Sequence, residues 1–231
     1  RYLPRTLEQA TRLIAVSEFV RQEIIHLLGV PEHRIVSVHN GVDPEFRPYP
    51  LSELIPPLSR YSLQPGGYLL GVSTLEPRKN LGRLAEAYGR LPPALRRRYP
   101  LVLAGARGWM NEELERWLSP LERNGQLRRL GYVAQEDLPL LYAGARAFAY
   151  PSLYEGFGLP VLEAMASGIP VLTSNRSSLP EVGGDATLRV DPDDVDAINA
   201  GLERLLTDEG WRMVAVEHGL RQARHFSWER C

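Results

Sequence analysis

Short runs of aliphatic and β-branched residues alternate with longer amphipathic stretches along almost the whole chain. The apolar runs at 13–16, 35–38, 68–72, 101–104, 129–133, 147–151, 170–174 and 186–190 predict strands. Between them, Leu, Ile, Val and Ala recur at helical spacing over 18–28, 80–90, 111–121, 137–143, 160–167 and 195–206. Strands that alternate with helices of this length imply βαβ units and a parallel sheet with helices on both faces. Several of the strands are apolar throughout, as strands covered on both sides are. The predicted class is α/β, a doubly wound, Rossmann-like parallel sheet.

Local punctuation agrees with that pattern. Ser17 precedes the 18–28 helix as an N-cap and Gly29 closes it. Asp193 and Asp194 bring negative charge to the start of the 195–206 helix. The stretch from Asp43 to Gly67 is broken by Pro44, Pro48, Pro50, Pro56, Pro57 and Pro65, and has room for one short helix at 51–60. Residues 50–66 therefore read as a linker. Before it, residues 1–49 make a single βαβ unit, too small to hold a core alone; after it, residues 67–231 suffice for a complete doubly wound domain.

Composition narrows the classes. At 44% hydrophobic and 24% charged residues, the 231-residue chain has the balance of a globular protein. Twenty-seven basic against twenty-eight acidic side chains give a net charge of −1, which argues against nucleic acid as a partner. A single cysteine, Cys231, excludes an intrachain disulfide and a cysteine-rich zinc site. No apolar run approaches the roughly 20 residues that span a bilayer. The chain opens on Arg1-Tyr2-Leu3-Pro4 without Met and stops at Cys231 without a breaker, so it is expected to be part of something longer.

In an open parallel sheet, ligands sit at the carboxyl ends of strands, against helix N-termini. Three strand-to-helix turns therefore matter. After the 147–151 strand comes Tyr154-Glu155-Gly156-Phe157-Gly158-Leu159-Pro160, with Glu163 eight positions beyond Glu155. The glycines admit close backbone approach, Pro160 suits a first helical turn, and two carboxylates can accept hydrogen bonds from sugar hydroxyls on either side of a phosphate. After the 68–72 strand, Arg78 and Lys79 stand where a diphosphate could be neutralised. The third turn, Gly131-Tyr132-Val133, offers backbone groups and a flat ring to a base. Taken singly, each turn also admits a plainer reading, as a capped helix with surface acids or as a solvated basic pair.

Together the turns carry a resemblance. EGFGLPVLEAMASGIPVLTS at 155–174 is similar to the signature of the family 4 (group 1) glycosyltransferases of the GT-B fold. So are GVSTLEPRKNL at 71–81, LGYVAQEDLPLLYAGA at 130–145, IAVSEFVRQEI at 14–24, VHNGVD at 38–43 and FSWER at 226–230, in order over nearly the whole chain. The resemblance implies that residues 1–49 are the last βαβ unit of an N-terminal acceptor domain, and that residues 67–231 are the C-terminal nucleotide-sugar-binding domain of a retaining hexosyltransferase. Residues 226–230 would begin a closing helix that crosses back over the first domain.

Position by position, Glu163 resembles the carboxylate that holds the ribose, and Glu155 the catalytic-site carboxylate beside the donor hexose. Phe157, Gly158 and Leu159 would offer backbone N–H groups to sugar or phosphate. Lys79 matches the lysine on the diphosphate. Ser73 stands where many members carry an arginine, six positions earlier, so Arg78 or a helix N-terminus would have to supply that charge. Gly131, Tyr132 and Val133 resemble the segment beside the base.

The form of the second turn points to bacterial mannosyltransferases of cell-surface polysaccharide. The strands at 13–16 and 35–38 should expose apolar edges that the missing sheet would cover, so the fragment is expected to self-associate. The second turn implies GDP-mannose in preference to a UDP-sugar as donor, and the family resemblance implies no required metal and a glycan or lipid-linked acceptor bound by a missing domain. It also implies a cytoplasmic location, with peripheral attachment to the inner membrane as a further option. Asp191-Pro192-Asp193 has the spacing of a metal-binding pair but reads as an N-cap far from the motif turns.

Rival readings are a dehydrogenase, a GT-B epimerase or phosphorylase, and a non-catalytic nucleotide-sugar-binding module. The dehydrogenase fails because Val161 stands where a third fingerprint glycine belongs. A non-catalytic module would be free to lose Lys79, Glu155 and Glu163 together, and all three are present.

Overall fold

A computed structural model describes residues 9–106, 108 and 112–231. Strands β1 (Leu13–Ala15) and β2 (Ile35–Ser37) pair in parallel across helix α1 (Glu18–Leu28). Ser17 Oγ caps α1 by accepting from Val20 N, and Gly29 ends it at φ 65°. The larger sheet holds β3 (Leu69–Val72), β4 (Leu101–Ala104), β5 (Leu127–Gly131), β6 (Ala147–Tyr150), β7 (Val171–Ser174) and β8 (Leu188–Val190). They run β5-β4-β3-β6-β7-β8, every pair parallel.

Successive residues of the central strands go to opposite cores, which is why these strands are apolar without alternation. Leu69, Leu101, Leu103, Ala147 and Ala149 face one side; Leu70, Val102, Ala104, Phe148 and Tyr150 face the other. The first face is covered by α3 (Leu81–Gly89), α5 (Glu112–Arg123) and α9 (Val195–Thr207). The second is covered by α2 (Leu51–Arg60), α6 (Leu138–Ala143), α7 (Leu159–Ala166) and α8 (Leu179–Gly183). Within the linker stretch, α2 buries Leu54 and Leu58 in that second core. Arg60 and Tyr61 bond the Asp137 carboxylate, the latter at 2.6 Å.

Several sequence expectations are corrected. The fifth strand ends at Gly131 rather than at 133, because Gly131 turns at φ 68°; Tyr132 and Val133 are loop residues. Two short helices, α4 (Pro93–Arg98) and α8, escaped the periodicity reading. So did α10 (Glu209–Ala223), the longest in the described residues. Its buried positions are Ala215, Gly219 and Ala223, so it docks through small residues and lacks the large apolar stripe that betrays a helix. Gly219 lies against Met165 of α7. The expected helix start at 111 lies outside the described residues.

Asp191 and Asp193 do not cap α9. Asp194 does, accepting from Asp196 N and Ala197 N at 2.9 Å, while Asp191 and Asp193 pair with Arg176, and Asp193 also with Arg83. Nor are they remote from the motif turns: Asn80 Nδ2 donates to Pro192 O at 2.7 Å.

The β1–α1–β2 unit seats on the loop after β6. Ser17 Oγ donates to Gly156 O at 2.6 Å, and the Glu181 carboxylate accepts from Glu18 N and Phe19 N at the start of α1. The chain end returns to the same place. Val42 N donates to Phe226 O at 3.1 Å, and a Cβ on Gly41 would stand 2.3 Å from Trp228 N, so only glycine admits that approach. The expected closing helix is, within this chain, one 3₁₀ turn at Trp228–Arg230.

Candidate active site

Strand order reverses between β3 and β6, and adjacent loops that leave a sheet in opposite directions open a crevice at that point. Arg78 and Lys79 leave β3; Glu155 leaves β6. The two sequence signals, 76 residues apart, meet here.

After β3 a 3₁₀ turn (Pro77–Lys79) ends on Asn80 in the left-handed region at φ 58°. Asn80 Nδ2 holds that turn by donating to Pro151 O at 3.0 Å and to Pro192 O. Lys79 is thereby turned inward and is only 7% exposed. Its Nζ donates to Glu155 Oε1 at 2.7 Å and to the Tyr150 hydroxyl at 2.5 Å. Arg78 is half exposed; its Nη1 donates to Glu155 Oε2 at 2.9 Å and its Nε to Glu76 Oε2 at 3.0 Å.

Glu155 is 7% exposed and well supplied with donors. Ser152 Oγ and the Tyr150 hydroxyl donate to Oε1 at 2.7 and 2.8 Å. Its backbone is pinned as well, since Glu155 N donates to Ser177 Oγ and Ser178 Oγ donates to both Glu155 O and Phe157 O. Burial pushes the Glu155 carboxyl up, but the hydrogen bond and charge of Lys79, with Ser152 and Tyr150, outweigh it and hold the group below the usual carboxylate range. Glu155 is therefore ionised at neutral pH.

Gly158 stands at the head of α7 with φ 108°, where a Cβ would lie 2.7 Å from Leu179 Cδ2. The first turn of α7 leaves backbone N–H groups without helical partners, as every helix start does. The Phe157 ring is buried between His39 and Phe226, with centroids 5.9 and 5.8 Å away.

Glu163, further along α7, differs in environment. Burial pushes its carboxyl above the usual range, Asp43 adds to that, and the Tyr142 hydroxyl, beside it without the geometry of a full hydrogen bond, opposes it. With Asp43, Phe46, Glu136 and Leu138 it lines a cavity of about 650 Å³. Gly131 lines a separate recess of about 260 Å³ with Gly105 and Leu75. Tyr132 is 78% exposed, while Val133 is buried in the core.

The structure thus brings Arg78, Lys79 and Glu155 into one cluster beside Phe157, Gly158 and Leu159, and sets Glu163 against its own cavity. Sequence reading did not find Tyr150, Ser152, Asn80 or Ser178. Tyr150 read only as a strand residue; its position two residues before the Ser152 loop, on the inward face of β6, was the available signal. Among the described residues no three His, Cys, Asp or Glu side chains group as a metal site, and no helix is long and apolar enough to cross a membrane.

The doubly wound parallel sheet is the fold of GT-B glycosyltransferases among solved structures. Sucrose-phosphate synthase from Thermosynechococcus elongatus superposes with a TM-score of 0.80 at 22% identity, over 98% of this chain and 57% of that one. Anabaena HepE in complex with UDP and glucose superposes with a TM-score of 0.81 at 20% identity, over 94% and 59%. At the level of sequence, the model of the family described as glycosyl transferases group 1 matches residues 64–222, and that of glycosyltransferase family 4 matches residues 1–46. The chain belongs to the group 1 glycosyltransferases. It is 49% identical over 229 residues to O-antigen chain mannosyltransferase B of Escherichia coli, across 99% of this chain and 60% of that protein. It is also 40% identical over 227 residues to the serotype-specific mannosyltransferase WbdA of Escherichia coli, across 96% of this chain and 28% of that protein. The chain therefore spans only part of the length of these relatives.

Proposed function

We propose that this chain is the donor-binding part of a retaining mannosyltransferase that takes mannose from GDP-mannose, without a bound metal, and passes it to a glycan or lipid-linked acceptor. The observation that carries the reading is the meeting of Lys79 and Glu155 at the switch point. A buried ion pair contributes little net stability compared with apolar packing, so its retention in a crevice points to a ligand. In this reading Lys79 and Arg78 meet the diphosphate, with help from the first turn of α7, and Glu155 holds hexose hydroxyls through its free valences. Glu163 accepts from the ribose hydroxyls, and the loop of Gly131, Tyr132 and Val133 lies toward the base. The mannose assignment is supported by the names of the relatives above.

Residues 1–49 belong, on this reading, to the acceptor domain. Ile14 and Val36 of β1 and β2 are 69% and 43% exposed, and the rest of that domain would cover them. In isolation these strand edges favour pairing between copies of the chain; sedimentation that shows only monomer at high concentration would remove this part.

The test is thermal denaturation with GDP, GDP-mannose, UDP-glucose and NAD, all without added metal. A hundredfold excess of GDP over its dissociation constant stabilises by roughly 2.7 kcal/mol, which for a chain of this size raises Tm by about 5–11 °C. A shift with NAD and none with any nucleoside diphosphate overturns the reading. A larger shift with UDP-glucose than with GDP-mannose keeps the transferase and removes the mannose.

A further inference from the structure

Buried tyrosines usually find a partner for the hydroxyl. Tyr68 donates to Leu141 O at 2.6 Å, and Tyr88 to Tyr99 O and Gln126 O, all backbone groups of the fold. Tyr150 is as deeply buried, at 3% exposure, yet its partners are the two charged side chains of the crevice. It accepts from Lys79 Nζ at 2.5 Å and donates to Glu155 Oε1 at 2.8 Å. Lysine can only donate and a phenol has one proton, so the polarity of this triangle is fixed. Burial, followed by the Glu155 carboxylate, pushes ionisation of the phenol far up, so that proton stays in place.

The triangle divides the work of the pair. Glu155 Oε1 accepts from Lys79, Tyr150 and Ser152, while Oε2, among the described residues, accepts from Arg78. Lys79 Nζ spends two of its three donors on Tyr150 and Glu155. We propose that Tyr150 is a positioning residue for the donor: its hydroxyl pins Lys79 Nζ and Glu155 Oε1, leaving one N–H of Lys79 to a phosphate oxygen and Oε2 of Glu155 to a hexose hydroxyl. The proposal rests on the donor reading given above and adds to it a residue whose ring alone would satisfy the fold. That ring stacks on Phe148 at 5.8 Å, and phenylalanine would keep the stack.

The charged groups that face Tyr150 and Glu155 are Lys79 and Arg78 from the turn after β3 and Glu163 from α7. Tyr150 is one of the donors that hold the Glu155 carboxyl low, so removal of its hydroxyl raises that group. A carboxylate raised in this way is lost to protonation at higher pH, and donor affinity should fall away earlier on acidification.

The test is Tyr150→Phe. Calorimetry with GDP-mannose on the 231-residue chain should show affinity lowered about tenfold, because Lys79 and Glu155, no longer pinned, have to be ordered as the donor binds. The acid limb of the affinity should move to higher pH, and Tm should also fall by a few degrees, because the same hydrogen bonds hold the unliganded cluster. A ¹³C NMR titration of the Glu155 carboxyl, run without ligand, should show the same upward movement. An unchanged titration, or wild-type affinity with a lowered Tm alone, overturns the proposal and makes the hydroxyl part of the fold. Wild-type protein that binds neither GDP nor GDP-mannose overturns the donor reading itself, a result separate from any difference between wild type and variant.

Discussion

Lys79→Met replaces the buried ammonium with an apolar side chain of similar length and leaves Glu155 facing the crevice with a charge it must keep or neutralise. The Lys79 and Glu155 side chains are 8% and 10% exposed, so little solvent screens the loss. Removal of one partner of a buried pair costs about 3–5 kcal/mol. Arg78 still reaches Oε2, and Ser152 and Tyr150 still reach Oε1, so the low end, about 3 kcal/mol, is expected. For a chain of this length that lowers Tm by about 6–12 °C at neutral pH.

The pH dependence separates this cause from loss of packing. In the wild type the folded-state Glu155 carboxyl lies below the ordinary carboxylate value of 4.5. Its contribution to stability is present above that value and is lost as pH falls through the folded one. In the variant the hydrogen bond and charge of Lys79 no longer oppose burial, so the folded value moves up from that of the wild type and protonation relieves part of the loss. The stability difference between the two proteins should therefore shrink as pH falls from neutral towards 4.5. Glu155→Gln in the Lys79→Met background should restore most of the loss at neutral pH, because it removes the uncompensated charge. Denaturation that gives a difference independent of pH, or a double variant no more stable than Lys79→Met, would refute the reasoning.

Glu163 carries the opposite shift, so its ionised form opposes folding at neutral pH; Glu163→Gln should raise Tm there, a gain that disappears as pH falls below the raised value. The same variant should weaken GDP and GDP-mannose equally by calorimetry if Glu163 serves the ribose, and selective loss of GDP-mannose would reverse the roles of the two glutamates. Gly158→Ala meets a φ of 108° and Leu179 Cδ2 at 2.7 Å, and should cost about 1–3 kcal/mol by chemical denaturation and loosen nucleotide binding at the head of α7; wild-type behaviour in both would mean the loop shifts freely.

The sequence by itself determined the class of fold and the identity of the principal site residues. Strands buried on both faces must be apolar at every position, and helices between them must be amphipathic. The alternation of 68–72, 80–90 and 101–104 therefore specifies βαβ units whatever the packing. Ser17, Gly29 and the 51–60 helix were legible for the same local reason: a cap or a breaker acts on its own few residues. The Glu155–Glu163 string marked the crevice because its glycines and Pro160 have no use in a strand or mid-helix.

Only the tertiary structure decided what those residues do to one another. Whether Arg78 and Lys79 form a solvated surface or a charged floor depends on which strand lies beside β3, and strand order is a long-range property. The answer, β6, puts Glu155 2.7 Å from Lys79 and gives Tyr150 its place between them. The two glutamates, alike in sequence, titrate in opposite directions because one is surrounded by donors and the other by burial and a nearby Asp43. Helix α10 stayed invisible because its buried face is alanine and glycine, residues that show a packing surface only once Met165 is seen against them. Asp191 and Asp193, a cap by local rules, pair instead with Arg176 from another loop, while Asp194 satisfies the first N–H groups of the helix; Asp191 keeps only the local bond from Asp193 N.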